Sequence, residues 1–248
     1  MNVIAIIGCG WLGKILARKF LSMGYVVKGT STSLAGVNEL CSRGISGTLL
    51  NLDTASTKYI TEFIDDAPHV IIAVPPKHSN YARWMQKFSG AIPSRQIIFT
   101  SSTSVYGNAS GLVDENSAVV QGLLADAENA LPGAVILRLA GLTGPGRHPV
   151  QHLSGRIGIA DPDAPINLVH SDDVTEAISR CVRLKVEACT INIVAPWHPS
   201  RKEYYQSQAE KRGLPLPQFA ASGNLGKTVR SIHVQSILGF EPDPQLLK

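Results

Sequence analysis

Apolar runs and amphipathic stretches alternate along the first 141 residues in a repeating strand-and-helix rhythm. Residues 3–8 read VIAIIG, hydrophobic on both faces, and in the next segment Leu12, Ile15, Leu16 and Phe20 share one side at helical spacing. The same pattern predicts strands at 25–30, 47–52, 69–74, 96–102 and 134–141. It predicts helices at 34–42, stopped by Gly44, and at 80–89 and 121–131. Strands that are apolar on both faces must be covered on both faces, so the expected fold class is α/β with a doubly wound parallel sheet. From Leu142 onward the punctuation changes, with TGPGRHP, DPDAP, WHPS and GLPLP marking turns and loops. A helix at 172–184 and a strand at 189–194 stand out there. The expected organisation is a sheet domain over residues 1–141 and a smaller C-terminal portion over 142–248, interleaved with the last strands of the sheet.

Composition narrows the class without choosing a function. The 248 residues are 44% hydrophobic and 17% charged, the balance of a globular chain with a sizeable core. A formal net charge of +4, with Lys and Arg scattered along the chain, argues against a nucleic-acid partner. No run approaches the roughly 20 apolar residues of a membrane span, and Gly8, Gly10 and Lys14 interrupt the N-terminal one before a leader could form. The cysteines at 9, 41, 181 and 189 have no CxxC spacing, so neither a disulfide framework nor a zinc site is expected. They read as buried thiols of a cytoplasmic protein.

The first candidate chemistry lies in GCGWLG, where Gly8, Gly10 and Gly13 form GxGxxG between a predicted strand and a predicted helix. In that context Gly8 allows a tight turn, Gly10 lets the backbone approach a pyrophosphate, and Gly13 lets helix and strand pack closely. Together they mark a Rossmann-type dinucleotide site, with Trp11 and Leu12 of the same junction as cofactor-binding candidates whose other reading is packing. An acid at the end of the second strand would hold the ribose 2′-hydroxyl of NAD. Here the chain reads KGTSTS instead, and the hydroxyls of Thr30, Ser31 and Thr32, with charge from Lys28 or Arg43, favour NADP over NAD. Ser33 is the expected cap of the helix that follows. Asp53, after the third strand, is either a partner for the adenine amino group or an exposed loop acid.

Further motifs then carry a resemblance: IIFTSSTSVYG at 97–107 followed by VDEN, AEN at 127–129, ILRLAGLTGPGR at 136–147, and INLVHSDDV at 166–174. In order and spacing these resemble the atypical, extended short-chain dehydrogenase/reductases that include nucleotide-sugar epimerases and dehydratases. The resemblance implies an NAD(P)-binding Rossmann domain, a C-terminal substrate-binding portion, and a small polar substrate such as a nucleotide sugar. It implies that Ala73, Val74 and Pro75, in IIAVPP, line the cofactor at the fourth strand, with Lys77 and His78 just beyond. It also implies that Ser102 orients the substrate, and that a homodimer forms through the helices at 80–89 and 121–131.

The family's proton relay is a Tyr with a Lys four residues later. Counting back from Glu128, those places hold Val120 and Leu124, neither of which transfers a proton. Tyr106 is the remaining phenol in this region and the substitute candidate. Arg147 is a candidate clamp for a substrate phosphate or carboxylate, and Asn167 a candidate substrate contact, while Arg138 reads as structurally paired. His170, Asp172 and Asp173 read as a hydrogen-bonded helix start with Ser171 as cap, and no metal site is expected. Two readings follow: an NADP-dependent oxidoreductase or epimerase with a non-standard proton donor, or a nucleotide-binding module without turnover.

Overall fold

The computed structural model describes residues 2–76, 79–90 and 95–248. The strands are β1 (Val3–Ile7), β2 (Val26–Ser31), β3 (Ser46–Leu49), β4 (His69–Ile72), β5 (Gln96–Ser102), β6 (Gly111–Val113), β7 (Val135–Leu139), β8 (Gly141–Thr143), β9 (Leu168–His170), β10 (Cys189–Ile193) and β11 (Lys227–Val229). The helices are α1 (Trp11–Ser22), α2 (Leu34–Ser42), α3 (Thr57–Ile64), α4 (Tyr81–Ser89), α5 (Leu123–Asn129), α6 (Val150–Leu153), α7 (Ser171–Arg183), α8 (Arg201–Lys211) and α9 (Val234–Leu238).

Seven strands form one sheet in the order β10-β7-β5-β4-β1-β2-β3. β1 pairs in parallel with β2 on one side and β4 on the other, so the direction of winding reverses after Ile7. That reversal opens a crevice beyond the carboxyl ends of the strands, the place where doubly wound sheets bind ligands. α1 packs on β1 and β2, and α2 on β2 and β3, while α3, α4 and α5 pack in succession on the other side. Alternate residues of β1 serve the two layers: Ala5 and Ile7 join the core built with Ile60, Phe63, Met85 and Phe88, and Ile6 faces α1 at Gly13.

Three departures from the predicted elements have local causes. The fourth strand stops at Ile72 because Pro75 and Pro76 lack the N–H groups a ladder needs, although Ala73 still donates to the Ile7 carbonyl at 2.9 Å. The helix expected from residue 121 begins at Leu123, because Gly122 has φ +154° and no residue before it continues the turn. Cys41 is exposed and Cys189 half-buried, contrary to the expectation of buried thiols: α2 turns only Leu40 fully inward.

The chain does not divide once near residue 141. One compact unit comprises Met1–Val105, Val120–Leu137 and Thr175–Thr190, and the other Tyr106–Val119, Arg138–Val174 and Ile191–Lys248. The second unit has its own core, in which Val150, Ile166 and Leu168 pack with Tyr204, Tyr205 and Ala209 of α8. α8 starts on a capping box in which Ser200 and Glu203 satisfy each other's backbone N–H groups. Among the described residues no helix is long and apolar enough to cross a membrane.

Candidate functional site

The glycines of GCGWLG occupy three different environments. Gly8 has φ +92°, and a Cβ there would come within 2.7 Å of the Val74 side chain and 3.0 Å of the Ala73 carbonyl oxygen. Gly13 lies in the first turn of α1, where a Cβ would stand 2.3 Å from the carbonyl oxygen of Gly8. Gly10 precedes α1 at φ −73° with no side-chain cap, and a Cβ there would meet no atom within 4 Å. The first two glycines are thus required by the protein's own packing. Gly10 is not, and it is exposed on the lining of a cavity.

That cavity, of about 410 Å³, falls in the range of small-molecule sites. It brings together Gly8, Gly10, Thr30, Ser31, Thr32, Ala73, Val74 and Pro75, as expected, and adds Leu50, Asn51, Leu52 and Trp84, which sequence reasoning missed. Among the described residues no charged side chain lines it. Trp84 has the helical spacing of Tyr81, Met85 and Phe88, so periodicity assigns it to the core; only the fold shows that it also reaches the cavity. Cys9 lines it too, as a thiol pushed up to about 11 by burial and therefore not nucleophilic near neutral pH.

Several expected cofactor contacts are corrected by the hydrogen bonding. The Thr30 hydroxyl accepts the Gly8 N–H at 2.8 Å and its carbonyl accepts the Cys9 N–H at 2.9 Å, so this side chain shapes the glycine turn from beneath. Lys28 pairs with Asp66 at 2.7 Å and Arg43 with Glu39 at 3.1 Å, so each cation assigned to a phosphate already faces a carboxylate. Leu12 is buried, and neither it nor Trp11 lines the cavity. Asp53 does not line it either: one carboxylate oxygen accepts from the Trp84 indole N–H at 2.9 Å and from Asn80 at 3.1 Å. Ser33 caps α2 as expected, accepting from the Gly36 N–H. Lys77 and His78 lie outside the described residues.

The positions of the missing proton relay are structurally altered as well as chemically. Val120 precedes α5, more than half exposed, with its N–H bonded to the Val105 carbonyl at 2.8 Å. Leu124 packs against the core. The two are therefore not one helical turn apart. Glu128 accepts from the Ser101 hydroxyl at 2.6 Å, tying α5 to β5. Ser102, half-buried at the end of β5, accepts the Ser104 N–H at 3.2 Å and so starts the 3-10 turn Thr103–Tyr106.

The second unit holds the other candidates. Tyr106 is buried; its hydroxyl donates to Asn192 Oδ1 at 2.8 Å and accepts from Arg138 at 3.0 Å. Burial pushes its phenol up from the usual value, so Tyr106 is corrected from substitute acid to the centre of a buried polar network. Asn167 is corrected likewise: its amide donates to the Lys227 carbonyl at 2.8 Å and accepts the Val229 N–H at 2.7 Å, holding β11 in place. Arg147 is exposed and lines a 250 Å³ recess with His148, His170 and Arg212. His148 accepts the Val150 N–H on Nδ1, which leaves Nε2 to donate to Tyr204 at 3.0 Å, and burial pushes its pKa down to about 4. Ser171 is not the cap of α7, since the helix includes it and its hydroxyl has no partner among the described residues. His170 Nδ1 accepts the Asp172 N–H instead. Asp173 accepts the Asp243 N–H, and burial raises its carboxyl to about 6.

A parallel sheet in this strand order, with a glycine-walled cavity where the winding reverses, defines a Rossmann-type, doubly wound α/β fold. A family model described as "NADP oxidoreductase coenzyme F420-dependent" matches residues 3–92. The chain is 36% identical over 272 aligned positions to "Protein YeeZ" of Escherichia coli K12, covering 100% of this chain and 99% of YeeZ. It therefore belongs to the YeeZ family. Among solved structures it resembles MoeE5 in complex with UDP-glucose and NAD, with TM-score 0.79 and 19% identity over 100% of this chain and 95% of that one. It also resembles the UDP-N-acetylglucosamine 4-epimerase of Bacillus cereus, with TM-score 0.78 and 14% identity over 98% and 94%.

Proposed function

We propose that this protein is an NAD(P)-dependent oxidoreductase of the epimerase-like type, acting on a small polar substrate such as a nucleotide sugar. The observation that carries the reading is Gly10, the fingerprint glycine that lines the cavity and whose side-chain space no described protein atom occupies. The N–H groups at the start of α1, with the partial positive charge of its N-terminus, receive a pyrophosphate there. When bound, the nicotinamide supplies hydride acceptance and return. NADP is the preferred form: among the described residues no carboxylate lines the cavity to hold a 2′-hydroxyl, whereas Ser31 and Thr32 offer hydroxyls next to the capped start of α2. Ser102 is the residue of the first unit assigned to orient a substrate hydroxyl. In the second unit Arg147 is assigned to an anionic substrate group.

The alternative, a nucleotide-binding module without turnover, is favoured by Val120 and Leu124 in the relay positions. Loss of a general acid costs about 10² to 10⁴ in rate. The experiment is stereospecific hydride transfer between labelled NADPH and a panel of sugar nucleotides. Label transfer, reduced by Ser102→Ala, supports the enzyme. NADPH binding without transfer to any substrate supports the module, and NADH bound as tightly as NADPH refutes the stated preference.

A further inference from the structure

The segment after β3 and the helix α4 are tied together in a way that nucleotide binding alone does not require. Trp84 and Asn80 both donate to one Asp53 carboxylate oxygen, at 2.9 and 3.1 Å. Almost one turn further along α4, Lys87 donates to the carbonyls of Leu52 and Ala55, the latter at 2.8 Å. The indole also meets Tyr81 edge-on, ring centres 6.1 Å apart and planes at 68°. Tyr81 is itself pinned by a 2.8 Å bond to the Val74 carbonyl. The Trp84 side chain is thus held at its nitrogen and against a neighbouring ring while it lines the cavity beside Leu50, Asn51 and Leu52.

We infer that Trp84 is the stacking wall for the adenine base of the dinucleotide, and that Asp53 is a positioning residue for this indole and not a partner of the base. The inference rests on the dinucleotide reading above. An aromatic side chain offers a π-face that any nucleobase can stack on, and one immobilised beforehand loses little freedom on binding. Asp53 itself does not line the cavity, and its Oδ1 already accepts two donors.

The test is calorimetric titration of the full chain with NADPH, NADH and 5′-AMP, together with its tryptophan emission during the 5′-AMP titration. Trp84→Leu is expected to weaken 5′-AMP and dinucleotide alike by about tenfold, the scale of one base stack. Asp53→Leu is expected to follow it, and Asp53→Asn, which keeps an acceptor oxygen, to stay close to the parent. 5′-AMP should perturb the parent's emission but not that of Trp84→Phe, in which Trp11 and Trp197 remain. This signature decides the matter if Trp84→Leu does not fold. Parent-like 5′-AMP affinity in Trp84→Leu, an unperturbed parent emission, or weakening by Asp53→Asn would overturn the inference while dinucleotide binding stands. A parent that binds neither dinucleotide nor 5′-AMP overturns both readings.

Discussion

Ala at position 13 and Ala at position 10 should fail in opposite ways, although both replace glycines of one motif. At Gly13 the added Cβ would stand 2.3 Å from the Gly8 carbonyl oxygen, about 0.7 Å inside the closest approach real Cβ atoms make. Both sides of that contact are backbone, so α1 or the glycine turn must move. Overpacking costs about 1–3 kcal/mol, a backbone-on-backbone overlap of this depth belonging to the upper part at about 2–3 kcal/mol, and the better helix propensity of Ala returns only about 1 kcal/mol. A net loss of about 1–2 kcal/mol corresponds to a fall of roughly 2–8 °C in melting temperature for a chain of this size. At Gly10 there is no clash and φ of −73° suits any residue, so the change should cost only the preference of an N-cap for Gly over Ala, about 0.5–1 kcal/mol or roughly 1–4 °C. Its Cβ instead adds to the lining of the cavity, where it should weaken NADPH by about tenfold or more. Thermal melting by circular dichroism and NADPH titration of the two variants measure both quantities. A Gly13→Ala protein that melts with the parent would refute the steric argument, and a Gly10→Ala protein with unchanged NADPH affinity would remove the pyrophosphate from that turn.

Thr30→Val should destabilise the fold by about 1–3 kcal/mol in urea unfolding, because it strands the Gly8 N–H beneath the glycine turn. Tyr106→Phe should cost about 1–2 kcal/mol through the lost Asn192 and Arg138 bonds while leaving NADPH affinity unchanged; an unaffected stability would count against its structural role. His148 is held neutral by burial, with a folded pKa of about 4 against 6.5 when unfolded. Its unfolded form binds the extra proton, so its contribution falls as pH drops from about 6.5 to 4. Asp173, raised to about 6 from 3.8, acts in the opposite sense: its folded form holds the proton, so its contribution falls as pH rises from about 4 to 6. Urea unfolding across pH 4–7 should therefore show a shallow parent profile, His148→Gln sloping downward with rising pH and Asp173→Asn sloping upward; two unchanged profiles would contradict both assignments.

The sheet was legible because its strands are apolar on both faces and punctuated by glycine. α2 and β5 run over the predicted residues for that reason. α3 was not legible: TKYITEFI is rich in β-branched and aromatic residues, and its helix depends on the Ser56 cap and on Ile60, Phe63 and Ile64 facing the core. α8 escaped for the opposite reason, since RKEYYQSQAEK has almost no apolar stripe, although Ser200 and Glu203 carry a readable capping box. Within the site, the glycine turn and the hydroxyls after β2 were visible as a local motif. The commitments of Thr30, Asp53, Asn167 and Tyr106 were not, because their partners lie 22 to 86 residues away in the chain. Polar side chains satisfied across such distances look in sequence like polar side chains waiting for a ligand.

The interleaving of the two units bears on how the protein is made. The unit that carries the glycine turn needs residues as late as Thr190, and Gln96 in β5 donates to the carbonyls of Cys181 and Val186 at 2.9 and 2.8 Å. A ribosome that has released only the first 141 residues has therefore not yet delivered the helix and strand that complete this unit. Folding outward from the N-terminus, the usual course for chains with separable domains, must here wait for the last third of the chain. A fragment cut after residue 141 should accordingly be a target for chaperones and proteases rather than a miniature cofactor-binding domain.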